Sequence, residues 1–225
     1  MSDIFREVDE ALQQEKMAKI WKEYGPTLVL AAILMVLTTG LTTAYRAWDS
    51  SRNQQETAKL VLASEQKDIA SAMEKAAGDS RDGHKAIAFL NAAAKYADKK
   101  DFTKAATLYK ELADDSSIPH DLRDLSSIFY VRAALLAPGK APALDSLIQR
   151  LLPIDGNDRS PFQKQAKLET ALLYGNGMKD YTKALELLKG FGEETGEDSL
   201  NEKAAALTHL YEHEQSTAQK PAAQE

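Results

Sequence analysis

One uncharged stretch constrains the fold of this chain more than any other feature. Residues 25–45 contain no Asp, Glu, Lys or Arg, although charged residues make up 28% of the sequence. A helix of about twenty residues rises about 30 Å, which matches the hydrocarbon thickness of a bilayer. Eight Leu, Ile and Val residues lie between Leu28 and Leu41, and each favours insertion by roughly 0.3–0.6 kcal/mol. The sequence therefore predicts a transmembrane helix over 25–45.

Aromatic residues bracket the predicted transmembrane helix. Trp21 and Tyr24 lie at one end, and Tyr45 and Trp48 lie at the other. Amphipathic rings of this kind concentrate at membrane–water interfaces. We predict that these four residues are membrane-interface anchors.

Two alternatives for this stretch stay open. It could be a buried core helix, or a cleavable signal peptide with Thr42-Thr43-Ala44 as a small-residue cleavage site. Signal peptides begin with a short basic region, whereas the segment 1–24 that precedes this stretch is of mixed charge. A retained single-pass anchor is the favoured interpretation.

The basic residues on either side of the stretch distinguish its two ends only weakly. Within about twenty residues, four precede it and three follow it: Arg6, Lys16, Lys19, Lys22, then Arg46, Arg52 and Lys59. The three lysines before the stretch are closely spaced, which favours a cytoplasmic amino terminus and a translocated carboxy-terminal domain.

The remaining sequence has the helical periodicity of an all-α protein. Gly25-Pro26 is expected to separate an amphipathic amino-terminal helix, with Ile4, Phe5, Val8 and Leu12 on one face, from the transmembrane helix. Residues 54–77 are expected to form one stalk helix. The predicted organisation is a cytoplasmic tail (1–24), the transmembrane helix (25–45), a stalk helix and linker (46–83), a helical domain (84–215) and a disordered tail (216–225).

Composition excludes several function classes. Residues 46–225 carry 24 Lys and Arg against 28 Asp and Glu, a net charge of −4 without a basic stripe, so a nucleic-acid partner is not expected. The chain has no cysteine, which excludes disulfides, thiol catalysis and thiolate metal sites.

A short motif occurs twice. Asp101-Phe102-Thr103-Lys104-Ala105 recurs further along the chain as Asp180-Tyr181-Thr182-Lys183-Ala184. Segment 143–152 resembles a degenerate middle copy, which divides the interval between the two motifs nearly in half. The resulting period of about 40 residues is typical of helical hairpins, so we predict a solenoid similar to tetratricopeptide repeats (TPRs). An irregular helical bundle with a chance echo is the alternative.

The first copy fits the TPR pattern residue by residue. Ala105 is the small residue, Phe89 and Tyr96 are the large residues of the first helix, and Pro119 closes the unit. The last copy has one additional residue between Tyr174 and Tyr181, within a glycine-rich turn. A capping box is predicted at Ser160.

TPR-like hairpins bind polypeptides along a concave face formed by their first helices. Projecting that face onto the sequence gives a candidate protein-binding groove of five residues: Ile87, Leu90, Leu125, Ile128 and Arg132. Alternatively, the stalk or the last helix, 200–214, covers these residues as core.

Signals of catalysis are few. His209-Leu210-Tyr211-Glu212-His213 matches the H-x-x-E-H zinc-protease pattern, but it lies on the last predicted helix, close to the polar tail. We predict a solvated helix end there, no catalytic, cofactor or metal residues, and a non-enzymatic protein.

Several segments together resemble a known family. They are 2–10 (SDIFREVDE), 21–26 (WKEYGP), 122–125 (LRDL), 132–136 (RAALL) and 202–207 (EKAAAL). The chain resembles the YfgM-like ancillary subunits of the bacterial Sec translocon. The resemblance implies a single-pass inner-membrane protein with a cytoplasmic amino terminus and a periplasmic TPR-like domain.

The same resemblance implies partners. These are the SecYEG translocon, a periplasmic chaperone or prolyl isomerase, and exported polypeptides, beside the lipid bilayer itself. The alternative function is a structural or regulatory envelope protein whose helical domain binds one specific folded partner.

Overall fold

The computed structural model describes residues 2–78, 80–139, 142–191 and 198–219, without the side chains of 2–15, 23, 25, 28, 32, 198 and 219. These residues form helices and connecting turns with no β-strand, which confirms the all-α prediction for them. The chain divides into two units, Met1–Glu56 and Thr57–Glu225, and each is described by itself.

The first helix, α1, runs from Ser2 to Ser64 and contains Pro26 in its interior. The predicted break at Gly25-Pro26 is therefore wrong. A proline removes one backbone hydrogen bond, whereas the flanking turns keep theirs, so a long helix can continue through it. The predicted amphipathic face of 4–12 lies outside the described side chains.

The apolar stretch of α1 is exposed. Met35, Val36 and Leu41 each have 71% of their surface accessible, so this stretch is not a buried core helix. Among the described residues, one helix near the amino terminus is long and apolar enough to cross a membrane, with the candidate segment Val29–Ser64.

Four threonines within the apolar stretch have their hydroxyl groups satisfied inside the helix. Each hydroxyl donates to the carbonyl four residues earlier, at 2.8 Å for Thr39, 2.7 Å for Thr42 and 2.8 Å for Thr43, and Thr38 makes the same bond to Leu34. A hydroxyl bonded in this way needs no water, which makes the threonine-rich half compatible with a hydrocarbon environment.

The second unit begins with the end of α1, and its described residues continue through eight further α-helices and one π-helix. These are α2 (Ile69–Gly78), α3 (Asp82–Asp98), α4 (Phe102–Asp114), α5 (His120–Leu136), α6 (Leu144–Asp155), α7 (Gln163–Leu172), the π-helix Leu173–Met178, α8 (Tyr181–Leu188) and α9 (Asp198–Gln219). From α2 onward each α-helix packs against the next one. In addition, α3 contacts α5, α5 contacts α7, and α7 contacts α9.

Two apolar clusters form the core of this unit. The larger one extends from Leu60 and Ala63 at the end of α1 to Ala166 on α7 and Leu173 of the π-helix. The smaller one joins α7, α8 and α9 through Leu168, Ala171, Ala184, Leu188, Ala204 and Tyr211. Alanine is abundant in both clusters, and its small side chain lets neighbouring helices approach closely.

Three sequence-based boundaries differ from the structure. The stretch 54–77 is divided between two helices, because α1 ends at Ser64 and α2 begins at Ile69 and packs against α3. Ser160 is not the N-cap of α7, because that helix begins at Gln163 with Phe162 in the cap position. The Ser160 hydroxyl instead donates to the buried carboxylate of Asp124 at 2.7 Å and accepts from Phe162 N at 3.4 Å. Residues 216–219 continue α9, and the rest of the predicted disordered tail lies outside the described residues.

The repeated motif forms the same turn in both copies. The residue before each motif, Lys100 or Lys179, is left-handed, with φ of 62° and 60°. Asp101 then accepts from Lys104 N at 3.2 Å, and Asp180 accepts from Lys183 N at 3.1 Å. Each aspartate therefore caps the helix that follows it.

The aromatic contacts of the turn are repeated as well. The ammonium of Lys104 lies 4.9 Å from the ring centre of Tyr96, and that of Lys183 lies 5.1 Å from that of Tyr174. The small residue of each copy, Ala105 or Ala184, is fully buried.

The additional residue of the last copy is accommodated by the π-helix. Asp101 N donates to Tyr96 O and Asp180 N donates to Tyr174 O, both at 2.9 Å, so the longer turn closes in the same way. When Asp101 is aligned with Asp180, the buried positions of α4 match those of α8. The buried positions of the preceding helices, α3 and α7, match only when the alignment is shifted by one residue. In the shifted alignment three pairs of fully buried residues coincide: Ala88 with Ala166, Ala92 with Thr170, and Ala93 with Ala171.

The predicted middle copy is out of register by one helical turn. Ala143 precedes α6, whereas Ala105 and Ala184 are the fourth residues of α4 and α8. The fourth residue of α6 is Leu147, which is buried. An alanine in a similar sequence context is therefore not the structural equivalent.

We expect the two aspartate caps to contribute similar stability. Asp101→Ala and Asp180→Ala should each lower the free energy of unfolding by about 1 kcal/mol, because each removes the acceptor of an otherwise unpaired amide. Urea denaturation followed by circular dichroism measures this change. Asp98→Ala is the control, because it removes only an exposed pair with Lys95 and should cost much less. Equal losses in all three variants would contradict the capping role.

The turn between α4 and α5 predicts a pH dependence. The Ser117 hydroxyl at 2.7 Å and the Lys85 ammonium at 3.0 Å lower the pKa of Asp115 to about 2. In the unfolded chain this pKa is about 3.9, so the stabilisation is complete above that value and is lost as the pH falls towards 2. We expect the stability difference between wild type and Asp115→Asn to shrink as urea titrations move from about pH 6 to about pH 3. A constant difference would contradict this assignment.

Candidate interaction groove

The five predicted groove residues lie on α3 and α5 and differ widely in exposure. Ile87 is 47% exposed, and Leu90, Leu125 and Arg132 are half-buried. Ile128 is completely buried in the larger core cluster. The structure therefore leaves Ile87 accessible to a partner and places Ile128 in the core.

The sequence suggested the stalk helix or the last helix as a cover for the groove residues. Neither of these two elements by itself accounts for the burial of Ile128. Ile128 belongs to the cluster that extends from α1 to α7, whereas the buried residues of α9, Ala204 and Tyr211, belong to the smaller cluster. The last helix packs on α7 and α8.

An open groove of about 690 Å³ lies between α5, α7 and α9. Its lining residues are Arg132, Gln165, Leu168, Glu169, Leu172, Leu200, Lys203, Ala206 and Leu207. Leu168 is buried, whereas Leu172, Leu200 and Leu207 are half-buried. We call this the α5–α7–α9 groove. Of the five predicted residues, it includes only Arg132.

One ion pair lies at the α5 side of this groove. Arg132 Nε donates to Glu169 Oε1 at 2.8 Å, and a second guanidinium nitrogen contacts the same oxygen. Glu169 is buried, so its carboxylate needs this partner. Arg132 therefore serves first to join α5 to α7. Lys203 on the opposite side has no ion pair with the described residues.

The π-helix positions α9, which forms one side of the groove. A β-carbon added to Gly175 would lie 2.3 Å from Cζ of Tyr211, so only glycine leaves room for that ring. The Tyr211 hydroxyl donates to Asn176 Oδ1 at 3.2 Å, and its ring lies 5.8 Å from that of Tyr181. Burial raises the pKa of Tyr211.

The histidine pair lies outside the groove. The side chain of His209 is 84% exposed, and its Nδ1 lies 3.9 Å from the Glu212 carboxylate. His213 is also exposed. Among the described residues, no three His, Asp or Glu side chains are grouped so that they could hold a metal ion.

The four predicted interface residues are all exposed on α1. Trp21, Tyr24, Tyr45 and Trp48 have between 54% and 65% of their surface accessible. The rings of Tyr45 and Trp48 lie 6.1 Å apart, and the Arg52 guanidinium lies 5.2 Å from the ring centre of Trp48.

Comparisons with known proteins do not assign the chain to a family. No protein-family model, curated protein or solved structure matches it. The resemblance to YfgM-like proteins therefore rests on the sequence segments quoted above.

Sequence reasoning missed most of the α5–α7–α9 groove. Leu168, Leu172, Leu200 and Leu207 recur at intervals of four and seven residues, which is an apolar stripe on each helix. That spacing was a usable signal. Which stripe faces a neighbour, and which stays partly open, depends on how α9 packs.

Proposed function

We propose that the protein is a membrane-anchored, non-enzymatic adaptor whose TPR-like helical hairpins bind other polypeptides. The α5–α7–α9 groove carries this proposal, because successive first helices of the hairpins contribute its half-buried apolar side chains. Apolar surface of this kind is typical of protein-binding sites.

The TPR-like description is supported by two observations. The turn at Asp101 and the turn at Asp180 share their cap, their left-handed residue and their aromatic contact. Helices α3, α5, α7 and α9 also contact one another in series, as the first helices of stacked hairpins do.

The resemblance to YfgM-like proteins supplies the proposed setting. We place the apolar stretch of α1 in the bacterial inner membrane, the helical unit in the periplasm, and the adaptor beside SecYEG with a periplasmic chaperone or prolyl isomerase. There the anchor raises the effective concentration of a weak binding surface near emerging polypeptides, so modest affinity suffices.

Site-specific crosslinking in intact cells tests the binding surface. A photoreactive residue at Leu207 should crosslink to translocon subunits and to many exported polypeptides. The same residue at Glu186, which is exposed on α8, is the matched control. One stoichiometric partner would instead support the alternative of a regulatory or structural envelope protein. Equal labelling from both positions would exclude the groove as the binding surface.

Topology is tested separately by protease accessibility. We expect the helical unit to be protected in intact cells and digested in spheroplasts, and to remain with the membrane after alkaline extraction. A soluble, processed fragment would show that residues 25–45 form a signal peptide, and protection in spheroplasts would reverse the orientation.

A further inference from the structure

A second cleft lies between the last turns of α1 and helix α2, within the unit Thr57–Glu225. Its volume is about 610 Å³. Its lining residues are Lys59, Leu62, Ala63, Gln66, Lys67, Asp68, Ser71, Ala72, Lys75 and Ala76. We call this the α1–α2 cleft. It shares no residue with the α5–α7–α9 groove.

The lining of the α1–α2 cleft carries more positive than negative charge. Lys59, Lys67 and Lys75 are exposed and make no ion pair with the described residues. Asp68, the only carboxylate among the lining residues, accepts from Lys99 Nζ at 2.6 Å. Three lysines without an ion pair to the described residues therefore line this cleft, although residues 46–225 have a net charge of −4.

The floor of the cleft is apolar. Ala63 is buried, and Ala72 and Ala76 are half-buried. Leu62 is 60% exposed, so a large aliphatic side chain is available beside them. An occupant must therefore offer both apolar and acidic groups.

We propose that the α1–α2 cleft binds an acidic amphipathic helix of another protein. The apolar ridge of such a helix would cover Leu62 and the alanines, and its flanking carboxylates would face Lys59, Lys67 and Lys75. A bilayer surface with anionic headgroups offers the same charge. It is flat, however, and a concave apolar floor between two helices is complementary to a ridge.

The test uses the full chain in uncharged detergent and a designed peptide probe. The probe is a fluorescent amphipathic helix with Leu on one face and Glu on the other, and its matched control has Gln in place of Glu. Fluorescence anisotropy should show tighter binding of the Glu peptide and weakening with salt.

Charge reversal then locates the site. Lys59→Glu, Lys67→Glu and Lys75→Glu together should weaken binding of the Glu peptide by about tenfold or more, which is the size expected for three exposed charge pairs. The control combines Lys110→Glu, Arg159→Glu and Lys189→Glu, which makes the same charge change at exposed positions outside the cleft lining. It should bind like wild type.

Three outcomes would overturn the proposal. The two triple variants could lose affinity equally, which would indicate a general charge effect. The Glu and Gln peptides could bind alike, which would exclude charge recognition. Vesicles containing anionic lipid could bind in a manner that needs the three lysines while the peptide does not, which would identify a lipid site. Circular dichroism checks folding of both variants.

Discussion

Ile128→Asp is expected to prevent folding of the helical unit, whereas Ile87→Asp should leave it folded. Ile128 is completely buried, and Ile87 is 47% exposed. An unpaired carboxylate in an apolar core costs several kcal/mol, which is comparable to the total stability of about 5–15 kcal/mol of a typical domain. At an exposed position the new carboxylate stays hydrated, so the substitution lowers the free energy of unfolding only slightly.

Circular dichroism and limited proteolysis of both variants measure this difference. Ile128→Val is the conservative control and should cost about 0.5–1.5 kcal/mol. A folded Ile128→Asp protein would show that this part of the larger core cluster opens easily. Because the Ile87→Asp protein should fold, it also tests whether exported polypeptides bind near α3. If they do, their crosslinking to this variant should be weaker than to the wild type.

Gly175→Ala is expected to separate α9 from α7 and α8. Its β-carbon would lie 2.3 Å from the Tyr211 ring, which is too close for either group to stay in place. Overpacking of this kind costs about 1–3 kcal/mol, and expulsion of the ring would add the lost burial of Tyr211. Hydrogen exchange should become faster along α9 and remain slow in α3 and α4.

A double-mutant cycle separates this clash from a general glycine effect. Tyr211→Ala alone should cost about 3–5 kcal/mol, the usual range for truncating a buried aromatic residue. Combining it with Gly175→Ala should add almost nothing, because the clashing ring is gone. Gly190→Ala, where an added β-carbon meets no atom within 4 Å, is the matched control. Additive losses would refute a direct clash.

The sequence predicted those elements whose signals are local. The repeated motif with its alanine four residues after the aspartate, and the buried Phe89 and Tyr96, all follow from spacing within one hairpin. The exposed apolar stretch of α1 likewise follows from composition.

The remaining features depend on contacts between distant segments. Ile128 has the spacing of a groove residue, but helices on both sides of α5 bury it. Ser160 has the spacing of a cap, yet its hydroxyl donates to Asp124 on a different helix, and α7 begins only at Gln163. The α5–α7–α9 groove exists because Gly175 admits Tyr211, a relation between residues that no local pattern reports.

The π-helix Leu173–Met178 also determines how the two copies of the motif and their preceding helices can be aligned. One inserted residue in an α-helix would turn everything before it by about 100° and move the buried face towards solvent. Here the insertion widens a single turn, so Ala166, Thr170 and Ala171 keep the burial of their counterparts. An ungapped alignment of the two capping aspartates superimposes the buried positions of α4 and α8. It places those of α3 and α7 one residue out of register. An alignment of the two hairpins over their full length therefore needs one gap immediately before the left-handed lysine.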